Sequence, residues 1–384
     1  MAMPERTPGK WLVMLGHVVP VLAVVIAMGP VTAAFAPVPA RAATSAEHAP
    51  RNDALDRVSC TRAFWCMATG TFIGSAGRHR AFAEQWKGGM WRRLPSPPGR
   101  APAALSCATR TFCLANGGPT QAEIWNGRSW HTIKGPGVPM RGLSCGSSTT
   151  CMFIASAKDG TRVVESWNGR RWHLWDQATN LCAGHPPGAC GLSQVSCGNG
   201  KNCIAVGTAT LDQEPLVVSS ALFWNGTTWG GPPPPRNGNP AQMNAVGCAA
   251  SFCLAAGGAF SELANGSLAL AATWNASTMT WTDISPDLGT LCAGFNDCAW
   301  TSLMTCGSAT NCLAFYKTFL AWNGSTWTSA PPVKAGSGMA LSQVSCGGAS
   351  CMAVGHVVVS GGRRSIAELW NGTTWRVLSP PRPT

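Results

Sequence analysis

Seven times along this chain a cysteine is answered by a second cysteine five or six residues later, and two tryptophans flanking a turn follow. The cysteine pairs are Cys60 with Cys66, Cys107 with Cys113, Cys145 with Cys151, Cys197 with Cys203, Cys248 with Cys253, Cys306 with Cys312 and Cys346 with Cys351. The tryptophan pairs are Trp86 with Trp91, Trp125 with Trp130, Trp167 with Trp172, Trp224 with Trp229, Trp274 with Trp281, Trp322 with Trp327 and Trp370 with Trp375, so fourteen of the eighteen tryptophans share one register. Each unit reads as strand, tight turn, strand, variable loop, strand, Asn-Gly turn, strand and a Pro-rich exit such as Ser379-Pro380-Pro381. Asn-Gly between apolar runs is a strong hairpin signal, because both residues tolerate the positive φ of a primed turn. Four strands per unit of roughly 40–55 residues is the pattern of a propeller blade.

The expected fold is therefore all-β: a seven-bladed β-propeller of four-stranded antiparallel blades over residues 55–384, with one local disulfide per blade. Tryptophans five apart, or seven apart for Trp274 and Trp281, fall on the same face of an antiparallel hairpin, and their recurrence marks them as packing residues rather than ligand platforms. Glu84, Glu123, Glu165 and Glu368 stand two residues before the first tryptophan of their units, on that same face. They read as hairpin or interblade hydrogen-bond partners rather than as acids for chemistry.

The unit resembles a kelch-type blade: an apolar second strand tending toward glycine, then an aromatic, a turn and a tryptophan. It is similar also to exported actinobacterial repeats with a Ser-Cys…Cys-x-Ala-Val-Gly…Trp-Asn-Gly-x-x-Trp pattern, here over about residues 55–381. The cysteine pairs, and tryptophan in place of tyrosine, depart from the kelch pattern. The resemblance implies a fold far more firmly than an activity.

Two further pairs, Cys182 with Cys190 and Cys292 with Cys298, bring the cysteine count to eighteen. An even count in an exported chain argues for disulfides, and zinc sites prefer tighter spacing and recruit histidine, which is absent from this register. Export is read from the N-terminus, where Arg6 and Lys10 precede an apolar run from Trp11 to Met28 and Ala40-Arg41-Ala42 offers a cleavage site. Residues 1–42 are a signal peptide or, since no charge falls between Lys10 and Arg41, a retained membrane anchor, with 43–54 as linker. Five Asn-x-Ser/Thr sequons, at Asn225, Asn265, Asn275, Asn323 and Asn371, read as turn chemistry rather than glycan sites.

Charge narrows the partners. Without residues 1–42, 25 basic and 15 acidic side chains remain, a net charge of +10. Such a balance favours anionic surroundings such as wall polymers, acidic glycans or lipid head groups, and the expected partner is an extracellular glycan, wall polymer or protein. There is no lysine/arginine run or nucleic-acid motif, so nucleic acid is not expected, and membrane contact is expected only through the N-terminal segment.

In an up-and-down blade the Cys–Cys turn and the Asn-Gly turn share one end, and the loop between strands two and three shares the other end with the interblade loop. The first end is nearly invariant between units and the second carries the variation, so ligand binding is expected there, near the central channel. Candidate residues break the repeat: Arg78, His79, Arg80, His185, Asp212, Glu214, Asp297, Trp300, Arg363 and Arg364. Tyr316 is the only tyrosine, which argues against copper-radical and sialidase-type sites, and common hydrolase, metalloprotease and phosphate-loop motifs are missing. No cofactor or metal is expected. A non-catalytic exported binding propeller is the primary reading. The alternative is a secreted carbohydrate-active hydrolase or lyase using loop carboxylates such as Asp212, Glu214, Asp283, Asp287 and Asp297.

Overall fold

In the computed structural model, each first cysteine stands opposite its second across an antiparallel strand pair. The second faces the first tryptophan, which faces the second tryptophan. The row Cys60–Cys66–Trp86–Trp91 thus crosses four strands, and the same row recurs in the other six units. All seven cysteine pairs of the rows are disulfides. Cys60 is bonded to Cys66, Cys107 to Cys113, Cys145 to Cys151 and Cys197 to Cys203. Cys248 is bonded to Cys253, Cys306 to Cys312 and Cys346 to Cys351. The paired indoles lie with ring centroids 5.0 to 5.7 Å apart. A crosslink restricting five or six residues stabilises each first hairpin by roughly 2 kcal/mol in the chain-entropy picture.

The structure describes residues 52–383 apart from position 75 and segments 157–159, 175–189, 211–216, 231–240, 262–265, 287–302, 316–317, 332 and 334–338. Contacts divide the chain into Met1–Ala46 and Glu47–Thr384. The segment expected to act in export, residues 1–42, lies outside the described residues. So do Cys182, Cys292 and Cys298, and Cys190 is described only through its backbone, which leaves the two pairings expected in the insertions, Cys182 with Cys190 and Cys292 with Cys298, outside as well. No helix among the described residues is long and apolar enough to cross a membrane.

The first unit comprises β1 (Asp53–Cys60), β2 (Cys66–Ile73), β3 (His79–Lys87) and β4 (Met90–Leu94), the second β5 (Leu105–Thr109), β6 (Phe112–Asn116), β7 (Gln121–Trp125) and β8 (Trp130–Lys134). Then come β9 (Arg141–Ser147), β10 (Thr150–Ser156), β11 (Arg162–Trp167) and β12 (Trp172–Leu174). They are followed by β13 (Cys190–Asn199), β14 (Asn202–Thr210), β15 (Val217–Trp224) and β16 (Trp229–Gly230). The fifth unit holds β17 (Ala241–Ala249), β18 (Phe252–Ser261), β19 (Gly266–Asn275) and β20 (Thr280–Asp283), the sixth β21 (Leu303–Ser308), β22 (Asn311–Phe315), β23 (Phe319–Trp322) and β24 (Trp327–Ser329). The last comprises β25 (Met339–Gly347), β26 (Ser350–Val359), β27 (Gly362–Trp370) and β28 (Trp375–Leu378).

Five of these units stand as separate four-stranded antiparallel blades, whereas seven separate blades are expected from the sequence. The difference lies in β9–β16, which form one eight-stranded sheet. The cause is local: Arg162 of β11 and Gly191 of β13 make a parallel bridge, and that single contact joins strands that otherwise pair within their own units. β1 opens at Asp53, two residues before the expected start of the propeller.

The Asn-Gly turns also differ in detail from the expectation. Only the glycine takes positive φ, +91° to +106° at Gly127, Gly169, Gly226, Gly324 and Gly372. The asparagine works through its side chain instead, its Oδ1 accepting from the backbone N–H groups two and three residues on, as Asn371 does from Thr373 and Thr374. An asparagine oxygen mimics a backbone acceptor in this way without leaving the ordinary φ range.

The first strands β1, β5, β9, β13, β17, β21 and β25 each lie against the next, and β25 lies against β1. They enclose a central channel of about 430 Å³. The residue before each first cysteine joins neighbours: Ser59, Ser106, Ser144, Ser196, Thr305 and Ser345 each accept, at 2.8 or 2.9 Å, the backbone N–H of the next unit's first cysteine. Ser345 bonds Cys60, so the ladder closes the ring from last unit to first. The seventh rung is missing because Gly247 occupies that position, and there the strands run closer: a Cβ at 247 would sit 2.9 Å from the Cys306 nitrogen. Gln194 and Gln343 add a second tie, accepting from Val246 and Val58.

Ser345→Ala leaves the part-buried Cys60 N–H without its acceptor, so a loss of about 1–2 kcal/mol in urea unfolding is expected. A change below about 0.5 kcal/mol would show that these hydroxyls only accompany the ring and do not hold it.

Candidate ligand-binding site

Three of the irregular residues converge. Arg78 precedes β3, which His79 and Arg80 open, and with Arg100 of the chain leaving β4 these residues line a pocket of about 640 Å³ whose other walls are Thr71, Gly77 and Ala101. No carboxylate belongs to that lining. The three arginines are exposed, and like charges gathered without a counterion in the lining repel one another unless an anion joins them.

A second cluster adjoins it at the seam between the last and first units. Thr71 donates from Oγ1 to Asp56 Oδ2 at 3.2 Å, and Asp56 lies within electrostatic reach of Arg57, His356 and Arg363. Burial holds the Asp56 carboxyl above its ordinary range despite Thr71 and those cations. Burial likewise pushes His356 down, with help from Arg363 and against Asp56. Arg363 is fixed through its backbone, its N–H donating to Asn52 Oδ1 at 3.1 Å. Arg364 lines a smaller cleft of about 290 Å³ with Asp53, Ser365 and Arg382.

The central channel holds none of the repeat-breaking candidates. Its lining carries one charged residue, Arg57, whose Nε donates to the Ala103 carbonyl at 2.6 Å. The candidates among the described residues, expected near the channel, do not line it. His185, Asp212, Glu214, Asp297 and Trp300 lie outside the described residues, as does Asp287. Asp283 is occupied locally, accepting from the N–H and Oγ of Ser285 at 2.8 and 2.6 Å. Among the described residues no group of three or more His, Cys, Asp or Glu side chains is placed to hold a metal ion.

The glutamate series divides. Glu123 behaves as a hairpin partner, receiving the Thr132 hydroxyl at 2.9 Å on Oε2. Glu84 does not: it is fully buried, neither carboxylate oxygen has a hydrogen-bond partner, and desolvation lifts it to about 8 although Arg93 opposes this. It lines a pocket of about 530 Å³ that shares His79 and Arg80 with the arginine pocket. The sequence hid this, because the cross-strand partner decides it: Thr132 faces Glu123, whereas Arg93 faces Glu84. Arg100, in a Pro-rich exit, carried no repeat-breaking signal either.

No protein-family model matches this chain, and no curated protein sequence does. Solved propellers resemble it in shape. The β-propeller domain of the Trilobed protease from Pyrococcus furiosus superposes with a TM-score of 0.54 at 8% identity, covering 86% of this chain and 96% of that one. The acylaminoacyl peptidase of Pyrococcus horikoshii gives 0.52 at 7% identity over 85% of this chain, which spans about half (52%) of the peptidase. At such identities the likeness shows a propeller fold and carries nothing about activity.

Proposed function

We propose that this chain is an exported, non-catalytic binding propeller that holds an anionic polymer on the loop face of its first and last units. The observation that carries this reading is the 640 Å³ pocket in which Arg78, His79, Arg80 and Arg100 meet with no acid in the lining. The formal net charge of +12 adds long-range attraction for a polyanion. Seven disulfides fit an oxidising compartment, in keeping with residues 1–42 acting in export. In the same reading the eight-stranded sheet is two blades touching at one bridge, which makes the ring seven-bladed and its repeat kelch-like.

The test is titration with low-molecular-weight dextran sulfate at low ionic strength. Saturable binding is expected, weakening as salt rises, with about a tenfold or greater loss in the triple variant that combines Arg78→Ala, Arg80→Ala and Arg100→Ala. Absence of binding, or equal binding by the triple variant, would overturn the reading. Release of shortened chains from a uronic-acid polymer would replace it with a carbohydrate-active enzyme.

A further inference from the structure

The pocket beside the arginine cluster has a chemistry of its own. Along one face of β3 stand Arg80, Phe82, Glu84 and Trp86, and β2 sets the small residues Gly70 and Ala68 opposite Phe82 and Glu84. The Phe82 ring packs directly over Gly70, 2.8 Å from where a Cβ would stand, and meets Phe72 edge-on at 6.1 Å. Leu94, Pro95, Pro97 and Pro383 complete apolar walls around about 530 Å³, within the roughly 300–1,000 Å³ typical of small-ligand sites. Glu84 is 0% exposed and lines this cavity, with both of its oxygens unpartnered. A buried polar group left unpaired in a native fold calls for a partner the protein itself does not supply.

We infer that this pocket binds a carboxylate on a compact apolar or sugar-ring body, the Glu84 carboxyl O–H donating to the ligand while Arg80 and Arg93 supply opposite charge. A carboxylate has two acceptor oxygens in one plane, which an O–H and a guanidinium share readily. The apolar walls take the body of the ligand, and His79 and Arg80 at the shared rim connect it to the arginine pocket. The inference rests on the anion-binding reading above and extends it to one chemical group at one subsite. The same carboxylate is carried by a free sugar acid or by a unit of a polymer.

Binding of this kind is gated by pH. Glu84 donates only while protonated, a state that burial maintains to about pH 8. The charged groups facing it are Arg93 from β4 and Asp53 from β1, with His79 and Arg80 of its own strand in the pocket wall, while β2 brings only Ala68 opposite. Between pH 7 and pH 9 the protonated fraction of such an acid falls about tenfold.

The experiment is calorimetric titration of the full chain with sodium D-galacturonate, with polygalacturonate and with dextran sulfate, at pH 7 and pH 9. Galacturonate affinity is expected to fall about tenfold across that interval in the wild type and to stay flat in Glu84→Gln, whatever that variant's absolute affinity. The flat profile separates Glu84 from every other group in the pocket wall. Tighter binding of polygalacturonate than of the monomer identifies the polymer as the source, and equal binding the free acid; the proposal stands in both cases.

No galacturonate binding, a flat wild-type profile, or an unchanged fall in Glu84→Gln would overturn it. Dextran sulfate binding without galacturonate binding removes this subsite alone, and the reverse result removes the polyanion reading alone. Should Glu84→Gln not fold, the ¹³C carboxyl shift of Glu84 in the wild type decides. Galacturonate must move its titration upward, and an unmoved titration overturns the proposal.

Discussion

Gly355→Ala is expected to destabilise the protein by about 3 kcal/mol or more, enough to threaten folding of the last unit. Gly355 faces Leu341, and between Leu341 and Gln343 strand β25 carries a bulge that thrusts the Ala340 carbonyl toward β26. A Cβ at position 355 would lie deep inside contact distance of that oxygen, and 3.1 Å from its carbon. The obstacle is paired backbone, which has no rotamer in which to retreat. The same construction recurs at Gly70, Gly207 and Gly257, each opposite the residue before a bulge in the first strand. Gly230→Ala is the control: nothing lies within 4 Å of its Cβ, and a change within about 0.5 kcal/mol is expected. Guanidinium unfolding of both variants checks the pair. A loss below about 1 kcal/mol at Gly355 would mean that the strand opens without strain.

These glycines show how far the sequence could be read. The recurrence of glycine four residues after the second cysteine is plain in Cys351-Met352-Ala353-Val354-Gly355, and so is the Cys–Cys–Trp–Trp row, because strand pairing converts fixed spacing directly into lateral neighbours. The bulge behind the glycine was not legible. It belongs to the partner strand, and its bulged residues Asp56, Ser193, Asn244 and Ser342 share only polarity. The hydroxyl before six of the seven first cysteines was visible as a motif, yet its role as acceptor for the next unit needs the angle between sheets. The bridge between Arg162 and Gly191 depends on where an insertion returns, which local spacing does not encode. Of the irregular residues, Arg78, His79 and Arg80 were legible because they are consecutive. Arg100 joins them only through the path of the interblade loop, and Glu84 stands apart from Glu123 only through the residue across the hairpin.

That residue sets the other large effect. Glu84→Gln is expected to match the wild type near pH 4.5 and to exceed it in stability by on the order of 4 kcal/mol at pH 9. The folded chain keeps the Glu84 proton to about pH 8, whereas in the unfolded chain the carboxyl releases it near 4.5. Between those values the folded state binds the extra proton, so stability falls as pH rises. The contribution is fully present below about 4.5 and is lost as pH passes through about 8. Glutamine has the same shape and no proton to lose. Asp56, Glu123, Glu165 and His356 titrate in both proteins and cancel in the difference. Urea midpoints of the two proteins at pH 4.5, 7 and 9 supply the measurement. Glu123→Gln is the companion variant: the Thr132 hydroxyl already compensates its carboxylate, so its advantage at high pH must be smaller. Parallel pH profiles for Glu84→Gln and the wild type would mean that solvent or Arg93 reaches the carboxylate after all, and the pocket would lose the acid on which its chemistry depends.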